Sequence, residues 1–413
     1  MTTTDDTSAV PSTPPGPLDG IRVVELATIL MGPYGARILG DYGADVIRIE
    51  TLTGDSTRHS LPARNPGMSG HNLNIQRNKR SVALDLKRPD GRKAALAIIA
   101  TADVLVTNMR RAALGRLGLD PTELCRHHPG LIVCVGNGYG SDGPYGGKAA
   151  YDDAIQAGSG LAWIMGQARA DHEPAYVPAI IADKVCGMTI AQAVMAALVH
   201  KERTGEGQEI EVPMLETMVA FNLIEHQRGH GFEPPLGPFG YDRLFSPNRR
   251  PFRSADGWVA ILPYNDRHWL DFFDLIDRHE LADDARFVDH NARIAHIDDA
   301  YQIIANAAPT RTTAQWLADC EERSIPCSVV LNPEHAGDDP HLGAVGMVQV
   351  RDHPTEGPYR YVRDGPRLSR TPMGLHHHAP RLGEHTRQIL AEVGYPRSEI
   401  EALIAEGAAG TYG

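Results

Sequence analysis

Ile21-Arg-Val-Val-Glu-Leu26, Gly32-Pro-Tyr-Gly-Ala-Arg-Ile-Leu-Gly-Asp-Tyr42 and Ala44-Asp-Val-Ile-Arg-Ile-Glu50 follow one another with only short joints. The two outer runs are rich in β-branched residues and read as strands; the middle one reads as a helix. Strand, helix and strand within 30 residues make a βαβ unit, which places the chain in the α/β class with a parallel sheet.

Such a unit, with Glu50 near the end of its second strand, could open a dinucleotide-binding domain, but the glycine fingerprint is missing. Ala27-Thr-Ile-Leu-Met-Gly-Pro33 stands at the first strand-to-helix joint, where its side chains would keep a pyrophosphate off the backbone. Gly136-Asn-Gly-Tyr-Gly140, after the apolar run Leu131 to Val135, has the wrong spacing and runs into turn composition. Nicotinamide chemistry is therefore a minor alternative.

Working outward, the βαβ pattern continues through a helix from about Gly91 to Thr101 and a strand, Ala102 to Asn108. Farther on, the apolar run Val177 to Ala182 reads as a strand leading into a helix, Gly187 to His200. That helix ends in Lys201-Glu-Arg-Thr-Gly205, basic residues and then glycine. A strand over Gln208 to Val212 and a helix from about Met214 follow. From about His226 the composition shifts to Gly, Pro and aromatics, a hairpin is expected on Asp256-Gly257, and helices near 266–278 and 311–323 complete a smaller domain. Strands return after about 335, before a helix over Glu384 to Val393 and a polar tail. The expected organisation is a disordered tail over 1–19, a large α/β domain over 20–225, a small domain over 226–335, and a return to the large domain over 336–413.

The 413 residues carry a formal net charge of −12, which argues against nucleic acid or an anionic membrane as partner. No apolar run stands out as the roughly 20 residues that cross a bilayer. Cys125, Cys134, Cys186, Cys320 and Cys327 show no metal-ligand spacing, and reduced thiols in the cytoplasm are expected. His376-His-His378 reads as a solvated loop, so the expected metal set is empty.

Asp183 lies between the run Val177 to Ala182 and the helix beyond it. A carboxylate at a helix start feels the positive end of the dipole and can accept free N–H groups, which favours the ionised, nucleophilic form. It could equally be a helix cap. Arg77, Lys79, Arg80, Lys87, Arg110, Arg111 and Arg116 concentrate positive charge in an acidic chain. They read either as a solvated face or as the holder of a phosphate-bearing ligand.

Taken together, these segments resemble the family III CoA-transferases, the group of formyl-CoA transferase and α-methylacyl-CoA racemase. The resemblance covers about 18–400 and rests on segments that keep one order. They are Met31-Gly-Pro33, Gly43 to Glu50, Asn78-Lys-Arg-Ser81, Leu84-Asp-Leu-Lys87, Ala102-Asp-Val104 with Asn108, Arg116-Leu-Gly118 and Tyr151-Asp152. Ala182-Asp183, Thr204-Gly205 with Gly207-Gln208, Asp256-Gly257, Ile325-Pro-Cys327 and Leu382 to Thr386 complete them. It implies a large Rossmann-like domain built from both chain ends, a smaller α+β domain, and an interlocked homodimer. It also implies an enzyme that moves CoA from an acyl-CoA to an organic acid through an aspartyl-CoA thioester on Asp183, with Asp152 as a second carboxylate and coenzyme A as co-substrate. Thr28, Ile29, Leu30, Met31, Leu84, Lys87, Asn108, Met109, Arg116, Leu117 and Met214 fall where the family contacts coenzyme A, with Lys87 and Arg116 on phosphates and Leu84 beneath adenine. No tightly bound cofactor is implied.

Three departures bear on the reaction. The glycine run of formyl-CoA transferase is absent from Leu236 to Phe245, and Leu30 replaces its glutamine, which favours a larger or less polar acyl group than formate or oxalate. The racemase has a histidine where this chain has Tyr151; an unperturbed phenol, with pKa near 10, is a poor base at neutral pH. An acyl-CoA racemase or CoA-ester hydro-lyase is the alternative enzyme, and a CoA-ester binding protein the alternative without chemistry.

Overall fold

The computed structural model describes residues 14–412. Seven strands form the main sheet: β1 (Arg22–Leu26), β2 (Asp45–Glu50), β3 (Lys79–Leu84), β4 (Val104–Thr107), β5 (Ile132–Asn137), β6 (Glu209–Pro213) and the short β12 (Ala409–Gly410). Their order is β12-β3-β2-β1-β4-β5-β6, parallel except for β12, which pairs antiparallel with β3 through Ala409 and Leu84. The strand order reverses between β1 and β4, and a sheet of this kind offers its ligand crevice outside the strand ends at that reversal. The opening βαβ unit is present as expected, with the helix at Met31–Asp41.

Alternation along the strands divides the sheet into two unlike faces. Val24, Leu26, Ile47, Ile49, Val82, Leu84, Leu105 and Val133 build an apolar core against Ile389, Leu390, Ile400 and Leu403. The opposite register carries Glu25, Arg48 and Glu50, all buried. Arg48 donates to Glu25 at 2.6 Å and to Glu50, and Arg58 donates to Glu50 at 2.7 Å. Lys79 Nζ lies 2.6 Å from Glu25 and donates to the Pro33 carbonyl at 2.8 Å. With Asp55, three acids meet three cations, so charges that would be costly to bury alone are paired.

The chain divides into two compact units. One runs through Gly158, then over Ala179–Met218 and from Asp339 onward; the other comprises Ser159–Pro178 and Val219–Asp338. The second unit has its own core, with Trp269, Phe272, Phe273, Tyr301 and Trp316 packed beneath a three-stranded sheet of β7 (Phe252–Arg253), β8 (Trp258–Ile261) and β9 (Cys327–Val329). A further pair, β10 (Val348–His353) and β11 (Gly357–Val362), is antiparallel.

Several expectations from sequence are corrected. Residues 1–13 of the expected tail lie outside the described residues, but 14–19 are not free: Leu18 donates to the Tyr42 carbonyl at 3.0 Å. No strand forms over 177–182; the helix starts at Ile181 and runs to Thr204, ending at Gly205 with φ of 80°. This helix is long and apolar enough to cross a membrane by length and composition, which the sequence reading missed. The polar tail contains the helix Arg397–Ala405 and β12. Arg77 and Lys79 are neither solvated nor ligand-facing, because Asp41 and Glu25 hold them in the interior. His376 is half-buried and His377 exposed, and the backbone N–H groups of both donate to Asn78 Oδ1.

Candidate active site

Asp183 occupies the first turn of the helix Ile181–Thr204. Ile180, just before the helix, has no side chain able to cap it, and Asp152 supplies the missing acceptor from elsewhere in the chain. Asp152 Oδ1 takes the Asp183 N–H at 3.0 Å. Gln156, one turn along the helix Asp152–Gly158, donates to Asp152 Oδ2 at 2.6 Å and to the Ala179 carbonyl at 3.3 Å. The two aspartates are thus neighbours, but Asp152 grips the Asp183 backbone. This distal cap lets the helix begin six residues earlier than sequence pattern indicates.

The Met31 backbone N–H faces the Asp183 carboxylate closely enough to favour its ionised form. Burial first, and then the Asp152 charge, push Asp183 up to about 6, against the lowering effect of that amide. The direction is opposite to the one the helix dipole alone suggests, yet the group remains mostly ionised at neutral pH. Cys186, one turn on, is pushed up to about 12 by burial and by Asp183, so its thiol is protonated and no rival nucleophile. Tyr151 is 70% exposed, whereas Asp152 is buried and Asp183 half-buried.

Met31 reaches this carboxylate because two helices cross closely. A Cβ on Gly187 would lie 2.8 Å from the Met31 carbonyl oxygen and 2.9 Å from the Tyr34 ring; one on Gly35 would lie 2.9 Å from the Gly187 carbonyl. Only glycine permits that approach. The turn before Met31 is also unusual: Ile29 has φ of 64°, a conformation that costs a β-branched residue roughly 1–3 kcal/mol. Asn108 clamps the turn through Thr28, accepting its N–H at 2.9 Å and donating to its carbonyl at 2.8 Å.

The expected coenzyme A residues lie mostly just after the ends of parallel strands. Thr28, Ile29, Leu30 and Met31 follow β1, Lys87 follows β3, and Asn108, Met109, Arg116 and Leu117 follow β4. Lys87 and Arg116 are exposed, and neither has an ion pair among the described residues. Leu84 is the exception: it is 1% exposed on the apolar face of β3, so its side chain is no open rest for adenine. Met31 and Met214 are buried as well, and it is the Met31 backbone rather than its side chain that faces Asp183. Sequence reading missed that amide, Gln156 and Gly187. Gly187 could have been suspected as a glycine within a helix; the other two had no local signal.

The description CoA-transferase family III matches residues 18–386. The chain belongs to the family III CoA-transferases. It is 33% identical over 387 residues to the succinate–glutarate CoA-transferase of Agrobacterium fabrum, covering 91% of this chain and 96% of that one. It is 30% identical over 406 residues to the succinyl-CoA:glutarate CoA-transferase of Mus musculus, covering 95% and 90%. A CaiB/BaiF family protein from Brucella suis is similar in structure, with a TM-score of 0.77 and 29% identity over 92% of this chain and all of that one. The transferase thus acts between acyl-CoA thioesters and acids.

Proposed function

We propose that this transferase works through covalent catalysis by Asp183 and that its acids are dicarboxylates, as the names of the two relatives suggest. The observation that carries the reading is the half-buried Asp183 carboxylate in the first turn of its helix, its own N–H held by Asp152, in a family III chain.

Asp183 attacks the thioester carbonyl; its C–S bond breaks, giving a mixed anhydride and CoA thiolate. The thiolate attacks the Asp183 carbonyl and expels the first acid, which leaves an aspartyl-CoA thioester. The acceptor carboxylate attacks that thioester and frees the thiolate, which takes the new acyl group from the second anhydride and restores Asp183. Each step exchanges one carboxylate or thiolate for another, so no net proton or ATP is needed. At each tetrahedral stage on the aspartyl carbonyl, negative charge gathers on an oxygen that the Met31 amide is placed to receive. Lys87 and Arg116, exposed and unpaired among the described ions, would meet the CoA phosphates.

Mass spectrometry of the denatured protein after mixing with succinyl-CoA or glutaryl-CoA tests the intermediate. A hydroxylamine-sensitive CoA adduct on the peptide holding Asp183, absent from Asp183→Ala, is the expected result. An adduct elsewhere, or turnover without one, overturns it.

We further propose a homodimer in the cytoplasm. The helix Ile181–Thr204 leaves Met188 and Val199 at 42% and 52% exposure, an apolar surface suited to a second copy. Five free cysteines fit a reducing compartment. An interlocked dimer does not dissociate on dilution without unfolding; light scattering that finds a folded monomer contradicts it.

A further inference from the structure

Asp55 stands just outside the site, with every acceptor position in use. It is 5% exposed. Its Oδ1 takes the Thr57 N–H at 2.7 Å and the Thr57 hydroxyl at 2.8 Å. Its Oδ2 takes Arg48 Nη2 at 3.1 Å and, at 2.8 Å, the backbone N–H of Ile29. Burial works against its ionisation, but Arg48 and the Thr57 and Ile29 donors outweigh burial and hold it below the usual carboxylate range.

The bond to Ile29 is the one that charge balance does not require. Arg48 already has Glu25 and Glu50, and Thr57 is a local helix-start contact. Ile29, by contrast, is the residue at φ of 64°, two positions before Met31, whose backbone packs against the first turns of the Asp183 helix at Gly187. A β-branched residue leaves that conformation unless something holds it.

We propose that Asp55 is a positioning residue of the transfer reaction: through the Ile29 N–H it holds the turn after β1 in its strained shape, and so keeps the Met31 N–H on the Asp183 carboxylate. The inference rests on the reading of Asp183 as nucleophile. Asp55 itself touches no substrate. Its effect reaches the reaction only through the shape of residues 28–31.

The test is a rescue. Asp55→Ser keeps an acceptor for Thr57 but is too short for Ile29, and its kcat should fall roughly 10²-fold, as an ångström of misplacement does. Ile29→Gly removes the conformational resistance, since glycine takes positive φ freely. In the double variant Asp55→Ser/Ile29→Gly, kcat should recover at least about tenfold, while the loss in Tm from the disturbed ion network should remain. The acid midpoint of kcat/KM should move up in Asp55→Ser and return in the double variant. Asp55→Asn, which preserves volume, is read by the same rescue if Asp55→Ser does not fold. A double variant no faster than Asp55→Ser, or an Asp55→Ser enzyme with undiminished kcat, overturns the proposal. Asp183→Asn assayed alongside separates the two readings: activity there sinks the nucleophile, whereas an inactive Asp183→Asn beside a fully active Asp55→Ser sinks only the role of Asp55.

Discussion

Asp183→Asn is expected to abolish transfer and, at pH 7, to stabilise the fold. Loss of the nucleophile should lower kcat roughly 10⁴-fold or more, because an amide cannot form the anhydride. The stability effect follows from linkage. Native Asp183 is raised from 3.8 to about 6, so between these values the folded state holds a proton that the unfolded state has released. Stability contributed by this group is therefore complete below about 3.8, falls as pH rises through 6, and is lower by up to ~3 kcal/mol at neutral pH, at ~1.4 kcal/mol per unit. Asparagine does not titrate and escapes that cost. The expected pattern is a Tm above wild type at pH 7 and a difference that closes toward pH 4. The wild-type kcat/KM should fall on the acid side with its midpoint near 6, as protonation removes the nucleophile. A Tm difference independent of pH, or an acid limb near 4, contradicts the raised carboxylate.

Gly187→Ala carries the second large effect. The new methyl would sit 2.8 Å from the Met31 carbonyl oxygen, a backbone atom at the start of the opposing helix, so the helices must separate or the first turn must shift. Overpacking of this kind costs about 1–3 kcal/mol in stability. The loss in rate should be larger in proportion, since the displaced Met31 amide is the donor proposed to receive the developing charge: roughly 10²-fold in kcat, the usual effect of losing one such donor. KM for the acyl-CoA should change far less, because Lys87 and Arg116 lie on other loops. Crossing distance and rate are coupled here. An enzyme that loses stability but keeps its kcat would show that the Met31 amide does not serve the reaction.

What the sequence by itself determined is whatever depends on neighbours along the chain. Runs rich in branched residues over 22–26 and 45–50 indicated parallel strands, Lys201 to Gly205 indicated a helix end, and the ordered motifs led to the family and to Asp183. Tertiary structure alone decided the properties that come from residues distant in sequence. The early helix start at Ile181 depends on Asp152, 31 positions from Asp183. Desolvation and that same neighbour set the direction of the Asp183 shift, and local dipole reasoning had it reversed. Arg77 and Lys79 looked like a basic surface because composition counts charges without their partners; Asp41 and Glu25 come from other strands and helices. The strained turn at Ile29 has no sequence signature, since its conformation is imposed by Asp55 from outside. A short-range pattern specifies an element, whereas a carboxylate's charge state or a strained amide's aim is fixed by what folding brings against it.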